Sequence, residues 1–151
     1  MLMQRDLREP FDAPIWPASV QLQSFTTEHA PAVHDLLATA YRNCGGSVQV
    51  FPKWWSSLAT DAEFDPNLVF VARDTSFRII GVAQCWTSAF IKDLAVHPDW
   101  RRRGLGRALL LHVFAVFKQR GALAVSLKVA PDNPSGAVHL YRALGMRQIS
   151  N

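Results

Sequence analysis

The sequence holds little that would tie it to a metal, a disulfide or a membrane. Its two cysteines, Cys44 and Cys85, form no CxxC pair and stand at no metal-ligand spacing, so they read as free thiols of a reducing compartment. The five histidines, His29, His34, His97, His112 and His139, have no ligand partner at usable spacing, and no metal is expected. No apolar run approaches membrane-spanning length, and the first residues, MLMQRDLREPFD, lack the apolar stretch of a signal peptide. A cytoplasmic protein with no membrane partner is the expectation. Two familiar phosphate loops are missing as well: no Gly-Lys-Ser/Thr is present, and Leu109 stands where a dinucleotide fingerprint needs its third glycine.

What is present is ordinary in bulk and concentrated in one place. A chain of 151 residues, 49% hydrophobic and 19% charged, suits one globular domain over residues 1–151. The formal net charge is +4, but the basic residues gather at Arg101 to Arg107 rather than along a face. One polyanionic ligand fits that pattern better than nucleic acid.

The stretch Ala89 to Ala108, AFIKDLAVHPDWRRRGLGRA, carries the argument. Phe90, Ile91, Leu94, Ala95 and Val96 form an apolar strand that Pro98 ends, because proline has no N–H for a sheet ladder. From Leu105, apolar residues recur at Leu109, Val113, Val116 and Phe117, one side of a helix. Between them run Arg101, Arg102, Arg103, Gly104, Leu105, Gly106 and Arg107. The glycines stand where a helix begins, where unpaired N–H groups attract an anion and glycine lets it approach the backbone. A phosphate or pyrophosphate is the expected guest.

Arg101-x-x-Gly104-x-Gly106, after a strand ending in Val96-x-Pro98, resembles the acyl-CoA loop of the GCN5-related N-acetyltransferase (GNAT) superfamily. A second stretch agrees. In Ala130 to Met146, Asp132, Asn133 and Ser135 are helix-start residues, Leu140, Tyr141 and Leu144 share a face, and Gly145 supplies the helix end. Ala137, Tyr141, Gly145 and Met146 match the family's Ala-x-x-x-Tyr-x-x-x-Gly-Phe/Met pattern. The resemblance covers Leu68 to Met146 and implies an α/β (α+β) fold, a mixed, mostly antiparallel twisted sheet flanked by helices. It implies that the strand with Leu94, Ala95 and Val96 splays from its neighbour, freeing backbone groups for the pantetheine arm of acetyl-CoA. Arg101 to Arg107 would hold the pyrophosphate, Asn133 would contact the cofactor, and Tyr141 would face the thioester sulfur. The acceptor pocket would draw on Tyr41 to Phe64, with Tyr41, Trp54 and Trp55 as candidates, although a core role for these aromatics is equally open.

In chain order, residues 1–18 are proline-punctuated and read as an irregular arm that Trp16 pins down. Val20, Leu22 and Phe25 begin a strand, and Thr26-Thr27-Glu28 signals a helix carrying Val33, Leu36, Leu37, Ala40 and Tyr41. That helix breaks at Asn43-Cys44-Gly45-Gly46, and a short helix is expected near Phe51, Trp54 and Trp55. Asp65-Pro66-Asn67 reads as a turn; Leu68 to Ala72 and Phe77 to Trp86 read as an antiparallel pair, with a bulge at Gly81, and Ala122 to Val129 as a further strand. Superfamily members continue past the final glycine with two strands, whereas Arg147 to Asn151 suffices to begin one. The sheet then ends in an open edge, or the N-terminal arm or a second subunit of a homodimer covers it.

The implied chemistry is direct attack of a primary amine, on a small molecule or peptide, upon acetyl-CoA, with Tyr141 as general acid to the thiolate. The base position falls at Lys92 or Asp93; strand alternation puts the two on opposite sides, and only Asp93 is a carboxylate. A catalytically silent acyl-CoA-binding module is the alternative.

Overall fold

The computed structural model of the chain describes residues 1–44 and 46–150; Gly45, in the expected break after the first helix, and Asn151 lie outside them. The elements in chain order are β1 (Leu2–Asp6), β2 (Gln21–Ser24), α1 (Ala30–Asn43), α2 (Phe51–Ala59), β3 (Phe64–Arg73), β4 (Ile79–Trp86), β5 (Phe90–Val96), α3 (Leu105–Gln119), β6 (Ala124–Lys128), α4 (Ala137–Ala143) and β7 (Arg147–Ser150). Among the described residues they form one seven-stranded sheet in the order β2-β3-β4-β5-β6-β1-β7. It is mixed and mostly antiparallel, and β5 with β6 is its parallel pair.

Both faces of the sheet are covered, which is why β4 is buried along almost its whole length rather than in alternation. On one face Leu105, Leu109, Val113 and Phe117 of α3 pack against Ile80, Ala83 and Cys85. Gly81 allows this: a Cβ there would stand 3.0 Å from Leu109 and 3.1 Å from Leu105. On the other face Val33, Leu36 and Leu37 of α1 cover Val69, Val71 and Val82. Fully burying each such side chain is worth roughly 1.5–3 kcal/mol. The expected bulge falls beside Gly81, where the β3–β4 register shifts between Ala72 and Arg73. The turn expected at Asp65-Pro66-Asn67 lies inside β3 instead, as a break in register in which Asn67 N–H donates to Asp65 Oδ1 at 2.9 Å.

The far side of the sheet is assembled from both chain ends. Residues 2–6, expected in an irregular arm, form a strand lying between β6 and β7 and antiparallel to both. The expectation failed because the inward positions of this short strand are Met3 and an arginine, Arg5, which is 5% exposed. Arg5 Nε donates to Leu144 O at 2.8 Å and Nη2 to Pro10 O at 2.9 Å, and the guanidinium lies over the Phe11 and Phe114 rings. A buried arginine hides the apolar alternation by which strands are read. The edge beyond β6 is thus covered by the N-terminal segment, and Trp16 does hold that segment down, its ring 6.0 Å from that of His112. Among the described residues no helix is long and apolar enough to cross a membrane.

What positions the site is a fork. β5 and β6 pair at Phe90↔Ser126 and Ile91↔Leu127, and beyond those rungs they part.

Candidate active site

The fork opens into a cavity of about 610 Å³, lined by β5, the end of β6, the C-terminal turn of α1, and the segments that open α3 and α4. One end is made by the loop before α3. Gly104 has φ +83°, a left-handed conformation that glycine adopts without strain, and it starts α3 so that Gly104, Leu105 and Gly106 line the opening. Gly106 is there for space: a Cβ on it would lie 3.4 Å from Leu140 and 3.7 Å from Val96, narrowing the gap between α3, α4 and β5. Arg101, Arg102 and Arg107 line this end, as do Leu105 and, from β5, Leu94, Ala95 and Val96. Arg103 does not; it stacks over Trp100 at 4.8 Å. Arg107 Nη2 meets Asp12 Oδ2 of the N-terminal segment at 3.4 Å. A helix start, three lining arginines and, among the described residues, no acid in the lining at this end are features that suit an anion.

The wall formed by α4 carries Tyr141 and, in the preceding loop, Asn133. Tyr141 is 7% exposed, and burial pushes its phenol up, to about 12, so it remains a proton donor throughout the neutral range. Among the described residues its hydroxyl has no hydrogen-bond partner. Asn133 Oδ1 accepts from the backbone N–H of Ser135 at 2.9 Å and from its hydroxyl, which leaves its amide nitrogen for a ligand.

The acceptor end is organised by a bulge. Gln84 pairs with Asp93, but Cys85 pairs with Ile91, so Lys92 is an extra residue and simple alternation fails there. The separation expected of Lys92 and Asp93 is replaced by contact: Lys92 Nζ lies 2.9 Å from Asp93 Oδ2. From Asp93 onward alternation resumes, and Asp93 shares the face of Ala95, which packs in the core under α1. Asp93 is 5% exposed, and burial pushes its carboxyl up, to about 7, while burial also pushes the Lys92 ammonium down. Tyr41 of α1 and Cys44, just past its end, also line the cavity. Trp54 and Trp55 lie outside the cavity. Trp54 is buried with His34 and Phe51, and Trp55 packs between Phe25 and Phe64. His97 caps the short turn after β5, its Nδ1 accepting from Asp99 N–H at 3.1 Å.

The model of the Acetyltransferase (GNAT) family matches residues 30–146, most of the chain. The chain belongs to the GNAT acetyltransferase family. A mycothiol acetyltransferase of Clavibacter sepedonicus is 33% identical over 136 residues, which is 87% of this chain and 44% of that protein. The ribosomal protein bS18-alanine N-acetyltransferase of Escherichia coli strain K12 is 40% identical over 60 residues, 40% of each chain. The chain thus spans less than half the length of these curated relatives. Among solved structures, a GCN5-related N-acetyltransferase from Sphaerobacter thermophilus superposes with a TM-score of 0.80 at 30% identity, covering 97% of this chain and 47% of that one.

Several residues of this GNAT cavity carried no signal in the sequence. Lys128, one residue past the last β5–β6 rung, lines the opening, and nothing in its own neighbourhood of sequence marks it. Gln84 is 2% exposed, directly across the β4–β5 ladder from Asp93, and among the described residues its Oε1 has no hydrogen-bond partner. A glutamine in an apolar run, VAQCW, was the available hint.

Proposed function

We propose that this chain transfers an acetyl group from acetyl-CoA to a primary amine of a small molecule or peptide by direct attack. The observation that carries the reading is the fork: Asp93 on the face toward α1 and Tyr141 from α4 both line the cavity in which β5 and β6 part. The α3 N-terminus with Arg101, Arg102 and Arg107 binds the pyrophosphate, and Asn133 adds a contact beside it. Unpaired backbone groups of Leu94 to Val96 take the pantetheine arm and polarise the thioester carbonyl.

An amine is mostly protonated at neutral pH, and Asp93, with its carboxyl held near 7, is matched to take that proton. The amine nitrogen then bonds to the carbonyl carbon, the C–S bond breaks, the departing thiolate takes the Tyr141 proton, and the second proton shed by the nitrogen restores the phenol, leaving a neutral amide and thiol and the first proton on Asp93 for release to solvent. With a phenol at about 12 and a thiol near ~8.5 the transfer to the thiolate is uphill unless it is concerted with the leaving of sulfur, so Tyr141 acts as a hydrogen-bonding acid in the transition state. Mixing the protein with acetyl-CoA and a panel of amines, and following release of the CoA thiol, tests the reading. Turnover with at least one amine is expected; binding of acetyl-CoA with no turnover across the panel would instead favour a silent acyl-CoA-binding module.

A further inference from the structure

One residue past the last rung on each strand of the fork stands a lysine. Ile91 pairs with Leu127, so Lys92 and Lys128 flank the point at which β5 and β6 part. Leu127 points into the core beneath α3, so Lys128 lies on the opposite face, toward α1, which is the face that Asp93 shares with Ala95. Both lysines line the cavity, and Lys92 holds Asp93 at 2.9 Å. Asp93 is the single acid among the described residues that line it, against Lys92, Lys128 and the loop arginines. The lysines do not serve the pyrophosphate loop. Val96 is the β5 residue beside Gly106, and Lys92 is four residues back along the strand, about 13 Å at ~3.3 Å per residue.

An incoming ammonium therefore meets one carboxylate, already paired with Lys92, in a cavity that Lys128 also lines. A diamine or polyamine would bring its second charge against Lys92 and Lys128, with no further acid to receive it. An amine that carries its own anion meets the complementary arrangement: its ammonium replaces Lys92 on Asp93, and its anion receives the two lysines. We propose that the acceptor is a primary amine bearing a carboxylate a few bonds away, as in an α-amino acid, and that Lys92 and Lys128 select it. This rests on the acceptor-site reading above and specifies it.

The test reads binding, so it does not depend on turnover. Protein saturated with CoA is titrated calorimetrically with the proteinogenic amino acids, each paired with its amide, and with 1,4-diaminobutane. For the amino acid that binds best, affinity at least about tenfold above its amide and above the diamine is expected, the scale of one charge-assisted hydrogen bond. Lys92→Met and Lys128→Met should each shrink that preference and the double variant abolish it, Lys92→Arg should keep it, and affinity for CoA should stay within about twofold throughout. An amide or the diamine binding as well as the acid, no amino acid binding at all, or a preference surviving the double variant would overturn the proposal. Discrimination without acetyl transfer would instead count against the acetyltransferase reading alone.

Discussion

The two ends of the cavity are built on different principles. At the end proposed for the phosphates the working groups would be backbone N–H groups, and they depend on glycine: Gly104 for a left-handed turn, Gly106 for its closeness to Leu140. At the end proposed for the acceptor they would be side chains, Asp93, Lys92, Lys128 and Tyr41, brought to one cavity by a bulge and a parting of strands. A backbone site demands particular residues in a particular order, so it can be read along the chain. A side-chain site set by register has no such local grammar.

If that division is right, substitutions at the two ends should fail differently. Asp93→Asn is expected to lower kcat/KM by about 10²–10⁴ while leaving the acetyl-CoA dissociation constant within about twofold, since the base touches the amine alone. Steady-state kinetics beside calorimetry decide this, and a parallel loss of acetyl-CoA affinity would break the division. In the native enzyme kcat/KM should rise with pH through about 7, as the raised Asp93 carboxyl ionises, and then level off.

Tyr141→Phe comes next. It should cost about 100-fold in kcat, again with little change in acetyl-CoA binding, if the phenol is the proposed acid that acts as the C–S bond breaks. At the phosphate end, Arg101→Ala should weaken acetyl-CoA binding by roughly tenfold, whereas Arg103→Ala, whose guanidinium stacks on Trp100 and does not itself line the cavity, should change it by less than about twofold. Equal losses in the two variants would mean that charge alone, and not placement, holds the pyrophosphate.

The same carboxyl also bears on stability. Asp93 has a folded-state pKa of about 7 against about 3.9 unfolded, so the folded form binds the extra proton between those values. That contribution is fully present below pH about 4 and is lost as pH rises to about 7. Asp93→Asn should flatten this part of a melting-temperature profile, and an unchanged slope would show that the carboxyl is ionised in the folded state throughout.

The same contrast explains what could be read from the sequence. The β3–β4–β5 meander, α3 and α4 were visible because apolar residues keep the strand or helix period and because glycines and prolines mark their ends. The acyl-CoA loop was visible because Arg101, Gly104 and Gly106 are tied to those ends. The strand Leu2–Asp6 was hidden by the buried Arg5, which looks like a surface residue until Leu144 O, Pro10 O and the Phe11 and Phe114 rings surround it. The Lys92–Asp93 contact was hidden because alternation assumes an unbroken ladder, and the register shift opposite Gln84 and Cys85 is a property of two strands, not one. Trp54 and Trp55 share a helix with a clear apolar face, and a face of that kind looks the same whether it meets core or ligand.

Calorimetric titration of acetyl-CoA into the native chain and into Gly106→Leu tests the central claim most directly. Saturable one-to-one binding by the native chain, lost or weakened at least about tenfold in the variant while both melt cooperatively, is the predicted result. A folded native chain that takes up no acetyl-CoA, or a Gly106→Leu variant that binds it equally well, would contradict the assignment of the fork as the acyl-CoA site.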